Sequence, residues 1–319
     1  MTGAGPQRHA LGDGRQHFQH GPIDCIVGAD GAPEASAAGF ERAWQRFVGV
    51  LDELVAELPL LRANLGAIDV APQGRIARRM VDACRPHAQG GRYLTAMAAV
   101  AGSVADELLV AFDDPRITRA CVNNGGDIAL RLVPGTGYRI GMVGNVDAPA
   151  LDARLRLTAA DGVRGIATSG WRGRSFSLGI ADGVTIFAAT ASAADAAATV
   201  VANAVDVDDA RIVRRPANSV RDDSDLGDLL VTCDVPPLPA ALIGLALARG
   251  AAQAEHEIAA GRIVAAALHV QGHLRLVGPL FAQAETASPA WPRIDVPQPP
   301  SPPHRIRVGT VLHRMESER

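Results

Sequence analysis

The sequence contains no lysine, so all 31 of its basic residues are arginines. Schiff-base catalysis, a lysine general base and a P-loop with its phosphate-binding lysine are thereby excluded. Aromatic residues are scarce, at 7 Phe, 3 Trp and 2 Tyr, and the net charge is −3. A chain without a basic cluster interleaved with aromatics lacks the electrostatic footprint of a nucleic-acid binder. The four cysteines, Cys25, Cys84, Cys121 and Cys233, stand far apart in apolar contexts and form no CxxC pair, which reads as buried free thiols. No stretch reaches the length of a membrane span. The N-terminal segment, with His9, Arg15, His17 and His20 among Gly and Gln, lacks the apolar run of a signal peptide. A cytoplasmic location, with no membrane or nucleic-acid partner, is the expectation.

What is present is small and apolar. With 319 residues, 48% of them hydrophobic, the chain can bury a sizeable core in one large domain or two small ones. Residues 1–20 are polar and glycine-rich and read as a mobile arm. From Ala35 to Leu61, Phe40, Trp44, Phe47, Val48, Leu51, Leu54, Val55 and Leu58 recur at steps of three and four, which predicts one long helix ending near Pro59. A second helix is predicted over 74–83. Thr95 to Phe112 is almost wholly small or apolar, so a helix there must be buried on most sides, and its Asp106 must find a partner or face a cavity. Ser192 to Val205 is another alanine-rich helix, and 238–260 a further one. Strands are predicted over 23–27, 128–133, 138–143, 153–159, 165–167, 184–188 and 229–235, with two more within 263–277. Beyond Phe281 the chain is proline-rich and reads as a linker or arm, residues 281–319. The expectation is an α+β domain over 21–280, each half carrying one small-residue helix with an aspartate beside strands. A duplicated unit is one reading of that pattern.

Four sets of polar residues can carry chemistry. Residues 122–130 read Val-Asn-Asn-Gly-Gly-Asp-Ile-Ala-Leu. Adjacent glycines at 125 and 126 permit backbone angles barred to other residues and let a ligand approach, while Asn123, Asn124 and Asp127 offer donors and an acceptor. The same stretch is a strong signal for a hairpin turn. Thr168-Ser169-Gly170 can present hydroxyls and backbone N–H groups to phosphate oxygens, with Arg172 and Arg174 adding charge-assisted contacts, or can be an ordinary turn. Asp195 and Thr199 lie one helical turn apart, a carboxylate and a hydroxyl able to share a hard cation such as Mg²⁺. Alternatively, Asp195 complements its helix dipole and Thr199 bonds back to its own backbone. Asp106 forms the fourth set.

Taken in order, Asn124-Gly125-Gly126-Asp127-Ile128, Ala167-Thr168-Ser169-Gly170 and Ala194-Asp195-x-x-x-Thr199 resemble the ApbE superfamily. That superfamily contains the Mg²⁺-dependent flavin transferases, which cleave FAD and attach FMN to a threonine of a target protein. Met97-Ala-Ala-Val-Ala-Gly102-Ser-Val-Ala-Asp106 and Ser224-Asp-Leu-Gly-Asp228 are closer to its uncharacterised ApbE-like branch, and the likeness spans residues 21–278. The resemblance implies an ApbE-like fold of two related α/β halves, with small-residue helices packed on mainly antiparallel sheets. It implies Asp195 and Thr199 as metal ligands and a catalytic part for Asp195 and Asp127. It also implies a flavin-nucleotide pocket lined by Asn123, Asn124, Gly125, Gly126, Asp127, Gly102, Asp106, Thr168, Ser169, Gly170 and Arg172. The implied cofactors are Mg²⁺ and FAD or FMN, and the implied partner is a phosphorylated small molecule; a protein acceptor and a homodimer are compatible with it.

Two departures bear on the chemistry. The family's Lys-Gly-x-x-x-Asp helix carries Ala101 in place of its lysine, and the His-x-x-Asp-Pro segment between the Thr-Ser-Gly and Ala-Asp motifs is absent. Losing a cation and a histidine removes charge stabilisation and a proton carrier from a site that works by electrostatics and positioning. Three outcomes stand: a retained transferase, a non-catalytic ligand-binding or accessory protein, and an enzyme acting on a different heterocycle in the same pocket.

Overall fold

The computed structural model describes residues 5–67, 71–142, 153–283 and 312–313. Its strands are β1 (Gln7–Ala10), β2 (Gln16–His20), β3 (Ile23–Gly31), β4 (Ile117–Asn124), β5 (Asp127–Leu132), β6 (Gly137–Met142) and β7 (Ala153–Thr158). They continue as β8 (Gly165–Ser169), β9 (Gly183–Ala188), β10 (Val213–Pro216), β11 (Leu230–Asp234), β12 (Ala265–Val270), β13 (His273–Val277) and β14 (Leu312–His313). Nine of these form one sheet in the order β1-β2-β3-β4-β5-β8-β9-β12-β13, and every neighbouring pair is antiparallel.

Period-two alternation explains why this sheet is central. Ala120, Val122 and Ala129 pack on one face, whereas Cys121, Ile128 and Leu130 pack on the other. Strands apolar on both faces need cover on both. On the second face, Tyr138, Ile140, Leu155 and Leu157 of the small sheet β14-β6-β7 close over Ile128, Leu130, Ile166 and Phe187. On the first face lie the helices α1 (Pro33–Val48), α2 (Val50–Ala56), α3 (Leu58–Leu61), α4 (Arg75–Cys84), α5 (Val100–Leu109), α6 (Ala191–Ala204) and α8 (Ala240–Ala259), while the short α7 (Ala217–Val220) follows β10. Among them α5 covers β4 and β5, and α6 covers β8 and β9. This is the mixed helix and antiparallel-sheet architecture the sequence led us to expect.

Three expectations change. Residues 7–20 are not an arm: β1 and β2 pair with each other and then with β3, and Phe18 is fully buried against Trp44 and Phe47, with ring centroids 5.3 and 5.4 Å away. This one buried aromatic seats β2 on the core, and β1 pairs along it as the edge strand. The single helix over 35–61 is three, because Gly49 closes α1 and Glu57 closes α2. The Thr168-Ser169 pair belongs to β8, opposite Thr185 and Val184 of β9, and is no free turn. The expected proline-rich tail lies outside the described residues except at its start and at Leu312–His313, whose backbone pairs with Ile140 and Arg139.

Candidate functional site

The Asn-Asn-Gly-Gly-Asp stretch is a two-residue hairpin turn. Asn124 pairs with Asp127 across it, and both central residues take positive φ, 65° at Gly125 and 114° at Gly126. Only glycine adopts such angles cheaply in succession. Asn123 stabilises the turn by accepting a hydrogen bond from the Gly126 N–H at 2.8 Å. Asn124 is buried; it accepts from the Asp24 N–H at 3.3 Å and donates to the Ala101 carbonyl at 3.1 Å. It therefore ties β3 and β4 to the start of α5. Alternation along β5 then sends the Asp127 side chain to the helix face, the same side as Ala129.

The helices meet that turn through a reciprocal arrangement. Asp106 on α5 accepts from the N–H groups of Ala191 and Ser192, at 3.0 and 2.9 Å, and so caps the start of α6. Asp195 on α6 accepts from the Gly102 N–H at 2.9 Å and so caps the start of α5. Each aspartate satisfies otherwise orphaned donors and complements a helix dipole. Gly102 is required for the contact: a Cβ there would lie 2.3 Å from the Ala191 carbonyl oxygen and 2.9 Å from Asp195 Cβ. The alternative reading of Asp195 as a helix partner is thus realised, though on the neighbouring helix.

Asp195 on α6 and Asp127 on β5 are both buried, and the charge of Asp127 acts on Asp195. Burial pushes Asp195 well above the usual carboxylate range, and the negative charge of Asp127 pushes it further. Burial likewise raises Asp127, to about 7, against the opposing pull of the Thr168 N–H and the Arg174 guanidinium. Thr199 lies one turn along α6 from Asp195. Two desolvated carboxylates that repel each other, with a hydroxyl one turn away, are an oxygen-only donor set of the kind hard divalent cations take. The residues present therefore fit Mg²⁺. Among the described residues no group of three or more His, Cys, Asp or Glu side chains gathers as a metal cage, so a cation here would also need ligand or water oxygens.

The expected residues do not all converge. Asp127, Asp195, Thr199, Gly102 and the Gly125-Gly126 turn lie around the junction of β4, β5, α5 and α6, and Thr168 reaches Asp127 through its backbone N–H at 3.3 Å. Thr168 also shares a hydroxyl bond of 2.9 Å with Thr185. Gly170 abuts another chain segment, since a Cβ there would lie 2.6 Å from the Asp182 carbonyl oxygen. Arg172 is engaged away from Asp127: its Nε donates to Asp182 at 2.7 Å, and its guanidinium stacks 4.4 Å from the Trp171 ring. The arginine on the turn is Arg174, whose Nη2 would be 2.2 Å from a Cβ on Gly125. Two residues near the helices escaped the sequence reading. Cys84 is close enough to Asp195 that burial, then this carboxylate, push its thiol up. Asp225 accepts from the Thr95 hydroxyl at 2.5 Å, and its carbonyl accepts from the Tyr93 hydroxyl at 2.6 Å, docking the 224–228 loop just before α5. Its only signal was the Ser-Asp-Leu-Gly-Asp motif.

Fold and site together define a layered α+β protein with an acidic pair where two capped small-residue helices cross beneath a glycine turn. A family model described as AbpE bacteria matches residues 8–276, and the chain belongs to that family. A UPF0280 protein of Methanopyrus kandleri is 34% identical over 211 residues, 65% of this chain and 80% of that protein. A UPF0280 protein of Methanosphaerula palustris is 33% identical over 156 residues, 49% of this chain and 63% of that protein. Among solved structures, the ApbE protein of Thermotoga maritima shares 12% identity at a TM-score of 0.43, over 85% of this chain and 96% of that one. The flavin transferase ApbE of Vibrio cholerae shares 13% at a TM-score of 0.37, over 87% and 99%. The family assignment agrees with the resemblance to an uncharacterised ApbE-like branch.

Proposed function

We propose that Asp127, Asp195 and Thr199 hold Mg²⁺ against the phosphates of a flavin nucleotide or a similar phosphorylated ligand. The observation that carries this is the acidic pair itself: two carboxylates that burial pushes above their usual range, Asp195 further still through the charge of Asp127, cost stability unless something uses them. When bound, Mg²⁺ would offset the charge of the phosphates and polarise them. The chain's own residues do the positioning. The Gly102 N–H fixes the Asp195 carboxylate, and the missing side chain of Gly125 leaves room for the Arg174 guanidinium, which brings a cation to Asp127. That guanidinium supplies positive charge in a site where Ala101 stands instead of the family's lysine.

The same reading extends to FMN transfer from FAD to a protein or other acceptor. The alternative is a non-catalytic ligand-binding role; burial pushes the Cys25 and Cys84 thiols up, so neither serves as a base, and transfer would rest on the carboxylates alone. Incubation with FAD and Mg²⁺ separates the two, because transfer releases AMP and requires Asp195, whereas a binder holds FAD intact. Failure to bind any flavin nucleotide in the presence of Mg²⁺ would sink both.

A further inference from the structure

A second polar site lies along the helical layer, apart from the acidic pair and independent of the reading above. Arg75, Arg78, Arg79 and Asp82 follow one another at helical spacing along α4, and this stripe faces Thr190, Ser192 and Ala193 at the start of α6 across a groove of about 460 Å³. None of its lining residues belongs to the pair. The arginines are preset rather than floppy. Arg75 and Arg79 both donate to Glu107, whose side chain is fully buried and which also takes Arg46 Nε at 2.7 Å. Burial alone would raise the Glu107 pKa, but the bonds from Arg46, Arg79 and Arg75 hold it down at about 2. Three guanidiniums on one carboxylate leave donors unused: Arg75 engages it through Nε and Nη2, and Arg79 through Nη1 alone. Arg78 is exposed and makes no ion pair among the described residues. The Thr190 and Ser192 hydroxyls, 3.1 Å apart, close the opposite wall.

We propose that this groove binds the phosphate groups of a small phosphorylated ligand. Guanidinium forks match phosphate oxygens in geometry as well as charge, and hydroxyls complete the donor set. The start of α6 is not what recognises the ligand, because Asp106 and Thr190 already occupy its N–H groups. The acids facing the groove set its limits. Asp82 stands at one end, while Glu107 and Asp106 lie behind the arginines, Arg79 acting on both. A multiply charged phosphate therefore gains more here than a single carboxylate, whose place Glu107 already fills.

The test uses the whole chain without Mg²⁺ and with EDTA, so that the acidic pair takes no part. Pyrophosphate, inorganic phosphate and AMP are titrated by calorimetry and followed by the Nε–Hε signals of the arginines. Pyrophosphate should bind saturably, shift Arg75, Arg78 and Arg79, and bind roughly tenfold more weakly to Arg78→Ala, the loss of one charge-assisted contact. Arg78→Glu, at an exposed helical position, should abolish binding while leaving circular dichroism unchanged, and Asp195→Asn should leave binding intact. AMP binding more tightly than phosphate would show that a nucleoside contributes; equal affinity would show that the phosphoryl group alone is read. Either supports the site. No saturable binding of pyrophosphate at millimolar concentration, or binding that survives Arg78→Glu, would overturn it.

Discussion

The acidic pair predicts an unusual response to Asp195→Asn. The amide keeps a carbonyl oxygen for the Gly102 N–H, now bonded at 2.9 Å, so the cap on α5 persists. It removes the charge that burial and Asp127 oppose. Asp127, at about 7, is mostly ionised at pH 7.5 and repels that charge. The substitution therefore relieves both the burial of a charge and its repulsion from Asp127. Without metal, the variant should be more stable than the parent in urea denaturation at pH 7.5. With Mg²⁺ the ranking should reverse, because the parent gains stability by linkage and the variant does not. A metal-free variant less stable than the parent by more than about 1 kcal/mol, a typical cost of losing a cap, would refute the claim that Asp195 is strained by its surroundings.

Asp106→Ala, which strips two N–H groups of their acceptor, should cost about 3 kcal/mol and lower Tm by roughly 5 °C; an unchanged melting curve would mean that α6 is not capped this way. Gly102→Ala runs against helix propensity. A mid-helix Gly→Ala change ordinarily gains about 1 kcal/mol, but here the Cβ would lie 2.3 Å from the Ala191 carbonyl oxygen, so a loss of about 2 kcal/mol is expected by calorimetry. Glu107, held at about 2 from an ordinary 4.5, contributes stability above pH 4.5 that disappears as pH falls through 2, about 3 kcal/mol in all. The gap between the parent and Glu107→Gln should accordingly be full at pH 6 and close toward pH 2; a gap independent of pH would contradict the assignment. Arg174→Ala should weaken flavin-nucleotide binding roughly tenfold, whereas Arg172→Ala, tied to Asp182, should act mainly on stability, as separate binding and melting measurements would show.

The sequence exposed some of this structure and hid the rest for physical reasons. The small-residue helices were visible because composition alone forces burial, and the Gly125-Gly126 turn because positive φ at two successive positions demands glycine. Of the two readings of that stretch, the turn is the one the backbone shows. The N-terminal hairpin was concealed because edge strands expose polar side chains, leaving Phe18 as the one buried anchor. Arg172 and Arg174 could not be told apart, since a loop has no periodicity to say which side chain folds back on Gly125 and which on Asp182. The reciprocal caps were equally invisible: Asp106 and Asp195 each looked like the partner of its own helix, and only the crossing at Gly102 shows that they serve each other's.

On the proposed function, the Asp127–Asp195 pair binds a flavin nucleotide in a Mg²⁺-dependent way. Calorimetric titration of FAD into the parent and into Asp127→Asn, each with Mg²⁺ and with EDTA, tests it most directly. The account predicts saturable binding to the parent that Mg²⁺ strengthens at least tenfold, the equivalent of about 1.4 kcal/mol, and that Asp127→Asn loses. Binding of equal strength in EDTA, or binding indifferent to Asp127, would contradict it.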